Sequence, residues 1–260
     1  MNRQECEERV GQTVRGKWTL ERLLGVGGMA AVYAARHKIG RVDALKILHP
    51  EVAVTEQVRE RFEQEAMAVN SIGHSGVVEV RDVDVDSDGL PFLVMELLEG
   101  DTLGDILRNG RNVPTPRLLT IIDELLNVLV ACHEKGIIHR DIKPENLFIT
   151  NEGVLKVLDF GIARVREGMV NTAIGTTLGT VAYMPQEQIK GLDVDHRADL
   201  FAVGATMFNM LTGQNLFVTD NDAALTIKML TCAAPSLGTV QPDAREELVM
   251  FVDRALAFLP

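Results

Sequence analysis

The sequence predicts an α+β chain in two lobes: a small antiparallel β lobe carrying one long helix, then a larger, mainly helical lobe. Three observations carry this. Short β-like runs with glycine punctuation occupy residues 18 to 48, and helical patterns dominate from Thr102 onward. The length of 260 residues sits near the upper end of one hydrophobic core, which admits one large domain or two small lobes. A β-rich half followed by a helical half suits two lobes with a cleft between them.

The elements follow in order. WTLERLLGVGGMAAVYAARH and then RVDALKIL read as a strand, a glycine turn, a second strand and a third. In the strand DALKIL, Asp43 is expected to face solvent. Residues 56 to 72 place Val58, Phe62, Met67 and Val69 among charges at roughly helical spacing, which predicts a helix. In DVDVDSDGLPFLVMELLEG, Asp84, Asp86, Asp88 and Gly89 imitate the start of a calcium loop. The twelfth position of that loop, however, is Met95 rather than glutamate, and Leu90 to Met95 reads as a strand. A tight turn between two strands is the better account.

The lobe boundary is expected near Leu98 to Asp101, where apolar strand gives way to Glu99 and Gly100. Residues 1–16 then form an N-terminal extension, 17–98 the small lobe and 99–260 the large one, with helices near 102–109, 115–135, 195–212, 222–232 and 245–257. Two strands are expected to flank the segment around 139–146. There is no internal repeat or low-complexity segment.

Composition excludes several function classes. A formal charge of −11 argues against a nucleic-acid backbone as partner, which needs clustered Lys and Arg. The richest apolar stretch, Leu118 to Ala131, is interrupted by Asp123 and Glu124, so no membrane segment is expected. The opening MNRQECEERV has acidic residues and no apolar core, which argues against a secretory signal and for a cytoplasmic location. Cys6, Cys132 and Cys232 are odd in number and lack metal-ligand spacing, as expected of free thiols.

The most specific segment is IIHRDIKPENLFITNEGVLKVLDFG, from Ile137 to Gly161. Asp141 can accept a hydroxyl proton and Lys143 can neutralise a transferring phosphoryl group. Asn146 and Asp159 offer the oxygen ligands that Mg²⁺ prefers. Upstream, the turn at Gly25, Gly27 and Gly28 allows backbone amides to approach phosphates, although an ordinary glycine hairpin would look much the same.

HRDxKxxN followed by DFG resembles the catalytic-loop signature of the eukaryotic-like (Hanks-type) Ser/Thr protein kinases. GGMAAVY, HRDIKPEN and YMPQEQ look most like the bacterial branch, over about residues 17 to 260. The resemblance implies a kinase-like fold and transfer of phosphate from ATP to Ser or Thr of protein substrates, with Mg²⁺ and, as a second choice, Mn²⁺. Asp141, Lys143, Lys46 and Glu65 would be the catalytic set, with Glu65 pairing Lys46 and with Glu60 and Glu63 as competing choices. ATP would meet Gly25, Val26, Gly27, Gly28, Val32, Ala44, Lys46, Met95, Glu96, Leu98 and Phe148, Met95 standing as gatekeeper. Metal would fall to Asn146 and Asp159.

Regulation would fall to Arg140 and a phosphorylated Thr172, Thr176 or Thr177, and Thr180 would bond Asp141 and Lys143. Asp199 would support the catalytic loop. Glu187 belongs to a motif reading Pro185, Gln186, Glu187, with glutamine where proline normally stands. The chain ends at DRALAFLP, short of the last helices of related domains, which would leave Glu187 without its arginine. The resemblance also implies dimerisation through the small lobe. The altered motif and short end define the rival reading, a catalytically weak pseudokinase or truncated scaffold; a small-molecule phosphotransferase is disfavoured by Lys143.

Overall fold

A computed structural model of the chain describes residues 1–160 and 180–257, excepting the side chains of Gln57, Arg61 and Glu65. These residues form two units, the first being Met1–Glu99 and the second beginning at Gly100.

The first unit is a six-stranded antiparallel sheet in the order β1-β2-β3-β4-β6-β5. Its strands are β1 (Thr13–Val14), β2 (Trp18–Val26), β3 (Ala30–His37), β4 (Val42–Leu48), β5 (Val80–Val85) and β6 (Pro91–Glu96). β3 and β4 bury most of their residues, as central strands do. Lys46 pairs in register with Val32 on one side and Leu93 on the other.

Asp43 contradicts the expectation that it faces solvent. It is fully buried and accepts from Trp18 Nε1 at 3.2 Å, Arg41 Nε at 3.0 Å and Arg81 Nη1 at 2.8 Å. Burial alone would raise its pKa, but the bonds from Arg81, Arg41 and Trp18 outweigh it and hold the carboxyl below its ordinary value. Strand alternation could not reveal this, because two of the three partners, Trp18 and Arg81, come from β2 and β5.

Helix α1 (Arg3–Glu7) is closed by reciprocal bonds between Asn2 and Glu5, and α2 spans Glu56–Ile72. Gly73, in the left-handed region at φ 68°, ends α2. The buried stripe of α2 is Phe62, Ala66, Val69 and Ile72. Met67, expected on that stripe, is 69% exposed, because positions 62, 66 and 69 define a face that passes it by.

The β5–β6 turn is closed by Asp86, whose Oδ1 accepts from the amides of Asp88 and Leu90 at 2.9 Å each. Gly89 supplies the positive φ of 80° that the turn requires. Residues 1–16 pack on this sheet: Cys6 is buried, its carbonyl accepts from the Tyr33 hydroxyl at 3.0 Å, and Arg9 pairs with Asp86 at 3.1 Å.

The second unit carries a three-stranded sheet of β7 (Gly100–Thr102), β8 (Leu147–Thr150) and β9 (Leu155–Val157). The two strands expected to flank the HRD segment both follow it. Gly100 at φ 148° lies so close to the Ile149 carbonyl that no Cβ fits there.

The helices of this unit are α3 (Leu103–Arg108), α4 (Thr115–Glu134), α5 (Gln186–Ile189), α6 (Arg197–Thr212), α7 (Asp222–Thr231), α8 (Leu237–Val240) and α9 (Glu246–Ala255). α4 buries one stripe, from Leu118 through Leu125 to Cys132. α6 is buried almost all round, so the others pack about it, and Gly204 admits α9. A Cβ at Gly204 would stand 2.8 Å from that of Ala255.

Among the described residues no helix is long and apolar enough to cross a membrane. The three cysteines are unpaired, as expected, with Cys6 and Cys132 buried and Cys232 exposed.

Candidate functional site

The second unit gathers the HRD segment on a loop after α4. Asp141, Lys143, Asn146 and Thr180 are all at least nine-tenths buried. Lys143 Nζ lies 3.1 Å from Asp141 Oδ2 and donates to Thr180 Oγ1 at 3.0 Å. Asn146 Nδ2 donates to the Asp141 carbonyl at 2.7 Å and to Asp141 Oδ2 at 3.0 Å. That use of Nδ2 turns the amide so that Oδ1 is the atom left to face a cation. A carboxylate held by an ammonium and an amide is fixed in orientation toward whatever hydroxyl approaches it.

The loop is held from beneath. Asp199, at the start of α6 and fully buried, accepts from the His139 amide at 2.9 Å, the Arg140 amide at 2.8 Å and His133 Nε2 at 2.8 Å. Those bonds keep Arg140 in the left-handed region at φ 65°, a strained conformation for a branched-chain-free but bulky residue. Gln188 of α5 donates to the Arg140 carbonyl at 2.8 Å. The Arg140 Nε is buried with no hydrogen-bond partner among the described residues.

His139 links the loop to the segment after β9 that carries Asp159. Its Nδ1 accepts from the Asp141 amide at 3.2 Å and its Nε2 meets the Leu158 carbonyl at 3.0 Å. A carbonyl only accepts, so Nε2 bears the hydrogen and the ring is neutral. Complete burial agrees, holding the imidazole below its usual pKa. Its ring packs on Phe160 at 4.5 Å. Asp159 is exposed, at φ 48°.

A divalent ion would find oxygen donors in Asn146 and Asp159. No group of three or more His, Cys, Asp or Glu is poised for metal among the described residues. Two oxygen ligands fit Mg²⁺, which keeps waters and substrate phosphates in its shell.

In the first unit, β2 and β3 turn at Gly25, Val26, Gly27 and Gly28. None of these glycines has a positive φ, and a Cβ on Gly25 would meet nothing within 4 Å. Their smallness therefore keeps space open over the turn rather than relieving backbone strain. Val32 and Ala44 sit on β3 and β4 beside Lys46, and Met95 and Glu96 end β6, with Leu98 two residues on. Phe148 lies in β8 of the second unit, paired with Lys156 and Thr102.

Glu65 is on α2 as predicted for its segment, but its side chain lies outside the described residues, as do Thr172, Thr176 and Thr177. Glu187 is in the first turn of α5 and only half-buried, so the cost of an orphaned buried charge does not arise. The Arg197 pKa is raised chiefly by its hydrogen bond to Asp195 and by that carboxylate's charge, with Glu187 a smaller contributor. Sequence reasoning missed His133 and Gln188. Neither carries a local signal, since each acts on a backbone or carboxylate group distant in the chain.

The sequence profile of the family described as the protein kinase domain matches residues 18–257. The serine/threonine-protein kinase pkn3 of Myxococcus xanthus is 36% identical over 254 residues, covering 94% of this chain and 46% of that protein. PrkC of Bacillus subtilis, also a serine/threonine-protein kinase, is 31% identical, covering 95% of this chain and 38% of that protein. The chain thus spans less than half the length of either relative. A crystal structure of the PknI kinase domain of Mycobacterium tuberculosis superposes with a TM-score of 0.73 at 28% identity, covering 96% of this chain and 91% of that one.

Proposed function

As the chain belongs to the protein kinase domain family, we propose that it transfers the γ-phosphoryl group of ATP to Ser and Thr hydroxyls of protein substrates in bacterial signalling. The buried cluster of Asp141, Lys143, Asn146 and Thr180 carries the reading. Asp141 orients the substrate hydroxyl and takes its proton, while the Lys143 ammonium offsets charge gathering on the phosphoryl oxygens. Asn146 and Asp159 hold Mg²⁺, with Mn²⁺ as a substitute; the bound ion supplies further charge compensation.

Lys46 contacts the α and β phosphates with Glu65 as its partner, and the backbone of the turn at Gly25, Val26, Gly27 and Gly28 covers them. Val32, Ala44 and Met95 give the adenine apolar surface, and the backbone of Glu96 to Leu98 gives it hydrogen bonds. Arg140 pairs with a phosphate on Thr172, Thr176 or Thr177 after autophosphorylation, a reading supported by its buried Nε, which has no hydrogen-bond partner among the described residues. Three unpaired thiols suit a cytoplasmic setting.

Incubation with radiolabelled ATP and a generic basic protein tests this. Label is expected on Ser and Thr, and on the chain's own loop threonines by mass spectrometry, with none from Asp141→Asn. Equal labelling by wild type and Asp141→Asn would reject the reading.

A further inference from the structure

The glycine turn between β2 and β3 is tied at two points to a residue outside the chemistry described above. His49, the first residue after β4, is 2% exposed. Its Nε2 lies 2.9 Å from the Gly27 carbonyl, and its amide donates to the Met29 carbonyl at 2.9 Å. Within the turn, the Gly27 amide donates to the Ala30 carbonyl at 2.9 Å. His49 thus bonds both limbs of the turn, one through its ring and one through its backbone.

The ring is the informative half, because the Gly27 carbonyl can only accept. Nε2 must therefore carry hydrogen, which a neutral ring supplies. Burial agrees, holding the imidazole below its ordinary pKa. The N-terminal segment helps to enclose it: the Met1 amine pairs with Glu51, and the Met1 amine, Glu5 and Arg9 are the charges whose fields reach the ring. The His49 carbonyl accepts from the amides of Val52 and Ala53, at 2.9 and 3.0 Å, so the residue is anchored on its own far side.

The glycines themselves bring no side chains to wedge the turn. Gly25 has no neighbour for a Cβ, and a Cβ on Gly27 would have only the Ala30 carbonyl at 3.5 Å. A turn so lightly packed needs another restraint to hold its amides in one arrangement, and the His49 ring is that restraint.

We infer that His49 is a positioning residue for nucleotide phosphates, acting through the Gly27 carbonyl to set the direction of the turn's backbone amides. The inference rests on the reading of this turn as a phosphate-binding loop. Glutamine places an N–H donor where the histidine has Nε2, so His49→Gln keeps the bond, whereas His49→Phe keeps a ring and loses the donor.

The test is the dissociation constant of Mg·ATP and of adenosine, measured by calorimetry on the full chain. Wild type is expected to bind both. His49→Phe should weaken Mg·ATP about five-fold, the scale of one neutral hydrogen bond, and leave adenosine unchanged, while His49→Gln restores Mg·ATP to within about two-fold. Adenosine binding also certifies folding; should His49→Phe fail that check, His49→Met removes the donor with less bulk and carries the same expectation. Equal Mg·ATP affinity in all variants, or parallel loss of adenosine in every folded donorless variant, overturns the role of His49 alone. A wild type that binds neither ligand overturns the nucleotide reading and the inference together.

Discussion

Replacing Asp199 with alanine should destabilise the second unit by an amount that its hydrogen bonds set. The carboxylate is fully buried and takes three donors, the amides of His139 and Arg140 and the Nε2 of His133. Alanine leaves the two amides without an acceptor, at about 1–3 kcal/mol each. His133, whose side chain is 18% exposed, turns to water at little cost. Relaxation of Arg140 from its left-handed conformation would return roughly 1 kcal/mol. The net loss is about 3 kcal/mol, against a total of about 5–15 kcal/mol for a typical domain. Asp199→Asn keeps one acceptor and should lose about half as much. Guanidinium unfolding followed by far-ultraviolet circular dichroism reads this directly, because the helices of the second unit dominate the signal. A loss below about 1 kcal/mol for Asp199→Ala would refute the reasoning.

Two further perturbations follow from buried groups. His49 and His139 are both held below the ordinary histidine pKa, chiefly by burial. A depressed folded-state value means that the stability these groups allow is present above the unfolded value, about 6.5, and is lost as pH falls from there through the folded values. Denaturant midpoints should therefore drop on acidification below about pH 6.5, less steeply in His49→Gln; an unchanged slope in that variant would contradict the assignment of His49. Asp43→Ala should cost about 2–3 kcal/mol, less than the full penalty of a broken buried pair because Arg41 and Arg81 reach solvent. Thermal unfolding followed by Trp18 fluorescence, the sole tryptophan, checks it, and a Tm unchanged from wild type would count against the network.

What was legible in the sequence follows the range of the forces involved. The α2 boundaries, residues 56 to 72, were readable because helical periodicity is local. The proximity of Asp141, Lys143 and Asn146 was readable because close spacing along one loop brings them together. The turn at Asp86 was preferred over a calcium loop for its missing twelfth ligand, and the two amides on its Oδ1 show what the aspartate does instead.

Asp43 was misjudged because its tryptophan and one arginine lie 25 and 38 residues away. Met67 was misplaced because charges surround every hydrophobic position of α2, so the pattern admits more than one face. The short α1 and β1 gave no period to read, and their place on the sheet depends on Cys6, Arg9 and Val14 finding partners elsewhere in the first unit.

In the proposed reaction Asp141 positions and deprotonates a Ser or Thr hydroxyl for phosphoryl transfer. Measuring kcat for a peptide hydroxyl together with the dissociation constant of Mg·ATP, in wild type and Asp141→Asn, tests it most directly. The account predicts a fall in kcat of about 10²- to 10⁴-fold with nucleotide affinity preserved. Equal kcat in the two proteins would contradict it.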